Sequence, residues 1–215
     1  MITFVSGIDT DVGKSFATGW LASRLLEAGR RVITQKLVQT GNLDLSEDIL
    51  LHRRMMNCGL LPEDRAYLTM PEVYSYPCSP HLAARMDGRP LNLEKIAAAS
   101  AELDGRYEEV LLEGAGGLMV PLTDDLLTID FIAEHNYPLI FVTGGSLGSI
   151  NHTLLSLEAI EKRKIQLVRV IYNLWSGRHD PVIDADTKDY LQRVIHTRFP
   201  SALWETLPIV NHASH

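Results

Sequence analysis

Short runs of apolar, often β-branched residues alternate along this chain with longer stretches whose apolar positions recur every three or four residues. The change of period separates buried strands from helices. Strands are expected over residues 2–5, 31–38, 110–113, 139–143 and 168–172. After the first of them, Ala17, Trp20, Leu21, Leu25 and Ala28 share a helical face, and Gly29 is the stop. Ser46-Glu47-Asp48 opens a second helix running to about Asn57, closed by Gly59 and Pro62. Ser79-Pro80-His81 reads as an N-cap with proline at the first helical position, leading a short helix to Asp87-Gly88. Leu93, Ile96, Ala97, Ser100 and Leu103 lie on one face of a helix from Asn92 to Leu103. Further helices are expected over 129–135, 150–163 and 184–196. Residues 60–78 show no regular period, and the last stretch reads as a strand remnant with a polar tail. Strands that are apolar on both faces, alternating with helices, predict an α/β fold. It has three layers, a doubly wound and mostly parallel sheet between helices. No repeat or linker interrupts it, so residues 1–215 are expected to form a single domain.

In such sheets ligands gather at the carboxyl ends of the strands, and several chemically loaded residues fall there. The first is the stretch from Gly7 to Ser15, a glycine-bounded loop followed by Lys14-Ser15 at a helix start. Backbone N–H groups of such a loop point at phosphate oxygens, the lysine reaches the β and γ phosphates, and the hydroxyl ligates Mg²⁺. Ile8 through Val12 makes the loop one residue longer than the usual pattern. Lys36 ends the second strand, where a buried ammonium needs anionic partners; beside a triphosphate it would stabilise charge developing in phosphoryl transfer. Glu113 ends another apolar strand and precedes Gly114-Ala115-Gly116-Gly117. It stands where an acid approaches the metal. Asp48 is either a further metal ligand or a first-turn acid favouring the helix dipole. The glycine-rich stretch Gly144 to Gly148 is either a second nest of N–H groups or a tight turn with Ser149 as N-cap.

Charge and composition narrow the classes. A formal net charge of −7 leaves no broad basic face for nucleic acid or an acidic membrane. The run Glu161-Lys162-Arg163-Lys164 reads as a solvated helix end. No apolar run approaches the roughly 20 residues needed to cross a bilayer. Met1 enters the first strand without a leader, and the two cysteines, Cys58 and Cys78, lack metal-like spacing. These features predict a cytoplasmic protein.

Taken together the motifs resemble the dethiobiotin synthetase family, of P-loop NTPase type, over nearly the whole chain. Gly7-Ile8-Asp9-Thr10-Asp11-Val12-Gly13-Lys14-Ser15 resembles the family's long phosphate loop, and Lys36-Leu37-Val38-Gln39-Thr40-Gly41 its lysine motif. Ser79-Pro80-His81, Glu113 to Gly117, Leu147-Gly148 with Asn151-His152, and Asn173 follow in the family's order. Leu37 replaces a proline, Ser146 a lysine found in some members, and Leu174-Trp175 follows Asn173 where an acid is common.

The resemblance implies ATP- and Mg²⁺-dependent carboxylation and ring closure of 7,8-diaminopelargonate with CO₂ or bicarbonate. It implies catalytic Lys14 and Lys36, and Ser15, Asp48 and Glu113 on Mg²⁺. Asp11, Val12, Gly13, Lys14, Ser15, Phe16, Glu113, Gly114, Ala115, Gly116, Asn173 and Pro208 would bind nucleotide. Thr10 and Thr40 would line the diamine. Ser149, Ile150 and Asn151 of a neighbouring subunit, assisted by Tyr190, would receive its carboxylate, placing the site at a homodimer interface. The competing expectation is a nucleotide-switch ATPase that positions partner proteins. Such proteins carry an extra lysine early in the loop, where this chain has Ile8, Asp9, Thr10 and Asp11.

Overall fold

The computed structural model describes residues 1–174 and 180–209. Its elements in chain order are β1 (Ile2–Gly7), α1 (Lys14–Glu27), β2 (Val32–Lys36), β3 (Gln39–Thr40), α2 (Glu47–Met55), α3 (Pro62–Arg65), β4 (Val73–Tyr74) and α4 (Pro80–Met86). There follow α5 (Leu93–Arg106), β5 (Glu109–Gly117), α6 (Thr128–Glu134), β6 (Leu139–Gly144), α7 (Ser149–Lys162), β7 (Leu167–Asn173), α8 (Pro181–Arg198) and β8 (Leu203–Leu207). Six strands form one parallel sheet in the order β2-β5-β1-β6-β7-β8. Every adjacent pair is parallel, so each connection must cross over a face, and helices cover both sides.

The two faces are written into alternate positions of the same strands. Phe4, Leu112, Phe141 and Tyr172 belong to one buried cluster. Their chain neighbours Val5, Leu111, Ile140, Val142 and Ile171 belong to another, packed with Ala17, Leu21 and Ala22 of α1. Side chains alternate along a strand, so a continuous apolar run fills two cores at once.

Two features lay beyond the pattern of the sequence. Gln39-Thr40, expected only to break the second strand, pairs in parallel with Val73-Tyr74 as a second small sheet. Within the irregular stretch 60–78, Pro62–Arg65 makes a single helical turn. Its Asp64 accepts from Arg53 Nε at 2.9 Å and Nη2 at 2.8 Å, and Arg53 Nη1 reaches Thr34 Oγ1 at 2.9 Å. This buried pair ties α2 to β2 and fixes the helix that carries Asp48.

Candidate nucleotide and metal site

β1 occupies the centre of the carboxyl edge, with β5 on one side and β6 on the other. The loop after it turns through Asp11 at φ 58° and Gly13 at φ 95° before α1 begins. Glycine is required at 13 twice over. The left-handed backbone disfavours a side chain, and a Cβ there would lie 2.3 Å from Asn173 Nδ2. That amide donates to the Val12 carbonyl at 2.9 Å, so the end of β7 braces the loop. Lys14 Nζ donates to the Asp9 carbonyl at 2.8 Å, closing the loop on itself.

The strand ends then deliver the charges. Ser15 Oγ lies 2.7 Å from Asp48 Oδ1 and 2.7 Å from Glu113 Oε1. Lys36 Nζ, at the end of β2, meets Asp48 Oδ2 at 2.5 Å, Glu113 Oε1 at 2.8 Å and the Gly114 carbonyl at 3.1 Å. The register places Lys36 directly opposite Glu113 across the β2–β5 pair. Both are buried, Glu113 completely.

Burial and charge set the protonation states. For Glu113, burial pushes the carboxyl up, but the Lys36 and His52 charges and hydrogen bonds outweigh it and hold it well below the usual range. For Lys36, burial opposes the charge, and Glu113 and Asp48 reverse the direction, so its ammonium is held above an ordinary lysine. Lys14 differs. Desolvation, then repulsion from Lys36, lowers it from 10.5 to about 8 against the pull of Glu113, Asp48 and Asp11. A cationic Lys14 that lacks a close carboxylate is thus poised to gain from an incoming anion.

These groups line a cavity of about 730 Å³. Thr10, Asp11, Gly13, Lys14, Ser15, Phe16, Lys36, Thr40, Asp48, Glu113, Ala115, Gly116 and Asn173 all reach it. Val12 and Gly114 do not line it; their carbonyls accept from Asn173 Nδ2 and Lys36 Nζ, two side chains that do. Among the described residues, no three His, Cys, Asp or Glu side chains are placed to hold a metal by themselves. A magnesium ion that arrives with phosphates needs only one or two carboxylates, a hydroxyl and waters. The hard oxygens of Asp48 and Glu113, each 2.7 Å from the Ser15 hydroxyl, fit that requirement.

Four of the expected residues lie elsewhere in this single chain, and Pro208 makes a fifth. Ile150 lines a separate hollow of about 340 Å³ with Leu147, Val182 and Ile183. Ser149 is buried, its Oγ 3.0 Å from Ser146 Oγ. The N-cap of α7 is Gly148 at φ 92°, and Ser149 is the first helical residue rather than the cap. Asn151 and Tyr190 are exposed on α7 and α8. Pro208 is exposed beyond β8 and does not reach the cavity. Trp175, which follows Leu174, lies outside the described residues. One residue was missed by sequence reasoning. His52, fully buried on α2, puts Nε2 2.9 Å from Glu113 Oε2. Its position four residues after Asp48, on the same helix face, is the signal that was available.

A parallel sheet with a glycine-turned phosphate loop and paired lysines and acids at its carboxyl edge defines a P-loop NTPase. The fold agrees with that of the ParA family ATPase from Chlorobium tepidum TLS, at TM-score 0.53 and 13% identity, over 97% of this chain and 84% of that one. A family model described as an AAA domain matches residues 3–203. The chain is 45% identical over 210 residues to ATP-dependent dethiobiotin synthetase BioD 2 of Pasteurella multocida, covering 98% of each. It is 50% identical to the protein of the same name from Haemophilus ducreyi, over 93% of this chain and 94% of that one. The chain belongs to the ATP-dependent dethiobiotin synthetase family.

Proposed function

We propose that this chain forms dethiobiotin from 7,8-diaminopelargonate, CO₂ and ATP, with the cavity behind the phosphate loop as its active site. One observation carries the assignment of residues: both lysines, the Ser15 hydroxyl and both acids meet in that cavity within hydrogen-bond or ion-pair distance of a neighbour. One amine of the diamine takes up CO₂ as a carbamate, releasing a proton. The carbamate oxygen attacks the γ-phosphorus and ADP departs, leaving a mixed carbamic–phosphoric anhydride. The other amine then adds to the carbonyl, phosphate leaves, and the ureido ring closes.

Both steps concentrate negative charge beside the terminal phosphate. Lys14 and Lys36 neutralise it, Lys36 by transferring its ammonium from Glu113 and Asp48 towards the incoming oxygens. The loop N–H groups and the start of α1 orient the triphosphate. Ser15, Asp48 and Glu113 would hold Mg²⁺, which would offset the negative charge of the phosphates. Thr10 and Thr40 line the approach for the diamine, and Asn173 keeps the loop in place. The exposed start of α7 is suited to receive the substrate carboxylate of a second copy, as a homodimer with shared sites requires. The whole described chain acts as one domain, and no helix among the described residues is long and apolar enough to cross a membrane.

The test is product formation by the purified chain. Given ATP, Mg²⁺, the diamine and ¹³C-bicarbonate, it is expected to yield dethiobiotin labelled at the ureido carbonyl, detected by mass spectrometry. ATP consumption is expected only with both co-substrates. ATP turnover that ignores the diamine and responds to a protein partner would overturn this reading in favour of a switch.

A further inference from the structure

Glu113 divides its two oxygens between two environments. Oε1 faces Ser15 Oγ and Lys36 Nζ, the reacting side of the cavity. Oε2 faces away from them and accepts from His52 Nε2 at 2.9 Å, with both side chains fully buried. A carboxylate gripped on one oxygen alone can swing about its last torsion, which is broad and soft. Gripped from behind by a buried donor as well, it cannot turn without leaving that N–H buried and unpaired.

The helix that carries the backing donor is closely packed and clamped. α2 lies so close to α1 that a Cβ on Gly19 would come within 3.3 Å of the His52 Cα and 2.8 Å of Met55 Sδ. One residue further along, Arg53 is clamped to Asp64 and Thr34. Asp48 precedes His52 by one helical turn. A single rigid helix therefore supplies one acid directly and restrains the other.

We propose that His52 is a positioning residue that locks the Glu113 carboxylate with Oε1 aimed at the metal–phosphate position, so that α2 sets the geometry of both acids. This rests on the reading of Ser15, Asp48 and Glu113 as the Mg²⁺ ligands proposed above. Groups that orient a metal's ligands typically govern affinity by about 10- to 100-fold. The contribution is to geometry, so a donor of similar reach can replace the imidazole.

The experiment compares wild type with His52→Leu and His52→Gln by calorimetric titration of adenylyl imidodiphosphate, with Mn²⁺ and in chelator. His52→Leu is expected to weaken the Mn²⁺-dependent complex by about 10- to 100-fold while changing metal-free nucleotide affinity by less than about threefold. His52→Gln, which keeps an N–H at similar reach, is expected to recover most of the loss. Equal weakening with and without Mn²⁺, or a glutamine variant as impaired as the leucine one, would assign His52 to packing and overturn the proposal. So would wild-type affinity in His52→Leu. A wild type whose nucleotide affinity ignores Mn²⁺ would remove the metal reading and this proposal together. A wild type that binds Mn²⁺-nucleotide normally but makes no dethiobiotin would overturn the proposed reaction and leave the role of His52 standing. Should His52→Leu fail to fold, His52→Asn, too short to reach Oε2, is expected to show the same metal-specific loss.

Discussion

Two helices in this molecule begin on nearly the same backbone and have opposite surroundings. α1 follows Gly13 at φ 95° and α7 follows Gly148 at φ 92°, each just after a buried strand. After Gly13 comes a buried lysine, and a Cβ on that glycine would strike Asn173. After Gly148 comes a serine bonded to Ser146; a Cβ on that glycine meets nothing within 4 Å, and the adjacent Leu147 is 87% exposed. Both starts point the positive end of a helix dipole outward, but at α7 the Ser149 N–H is already taken by the Ser146 carbonyl at 2.9 Å. What separates them is the company of strand ends. Beside the start of α1, β5 brings Glu113 and β2 brings Lys36, whereas the start of α7 shares its hollow with Val182 and Ile183 of α8. Of the two helix starts, only the first gathers charged side chains from the neighbouring strands.

The largest expected effect removes that charge. Lys36→Met should lower the rate of dethiobiotin formation by about 100- to 1,000-fold, the loss typical of a transition-state donor, with circular dichroism unchanged. Wild-type turnover would take Lys36 out of the chemistry. Next comes the glycine pair itself. Gly13→Ala combines about 1–3 kcal/mol of left-handed strain with displacement of Asn173, so nucleotide binding measured by calorimetry should be lost. Gly148→Ala carries the strain alone and should lower thermal stability while leaving nucleotide affinity intact. Equal binding losses in the two would erase the contrast.

The third effect is electrostatic. Lys14 in the nucleotide-free protein titrates near 8 rather than 10.5. Between those values the unfolded chain binds more protons than the folded one, so stability rises with pH across the window. Relative to Lys14→Met, wild type should gain up to about 3 kcal/mol between pH 8 and 10.5 in urea unfolding. Parallel pH curves would show that Lys14 is better solvated than its surroundings imply. The smallest effect concerns α7. If the start of that helix serves a second copy, Asn151→Ala should raise KM for the diamine about tenfold, one hydrogen bond's worth, without changing nucleotide affinity. An unchanged KM would confine α7 to structure.

Legibility followed locality. The phosphate loop could be read because its glycines, lysine and serine are contiguous, and Lys36 and Glu113 because each ends a run of apolar residues. Asp48 could not be decided from the chain, since a first-turn acid suits any helix; its approaches to Ser15 Oγ at 2.7 Å and Lys36 Nζ at 2.5 Å, both distant in sequence, support the proposed ligand role. His52 was passed over because a histidine on a helix face ordinarily means core or solvent, and the partner that gives its spacing from Asp48 a meaning lies 61 residues away. The β3–β4 pair is too short to leave a period, and its register depends on anchors such as the Gln39 amide donating to the Glu72 carbonyl at 2.9 Å. Ser149 was misplaced by one position because serine is the commoner cap, yet here the turn demands a left-handed residue, which Gly148 supplies.

The strand order carries a consequence for synthesis. β1 is made before its lateral partners β5 and β6, which lie more than a hundred residues downstream. Until those arrive, both edges of an apolar strand stay open, and long-range pairing of this kind is slow to form. A nascent or truncated chain ending before Glu109 would hold the entire glycine loop and still lack the walls that shape it. Nucleotide could lend such a fragment little stability, because Glu113 and Asn173, which complete the cavity, would still be missing.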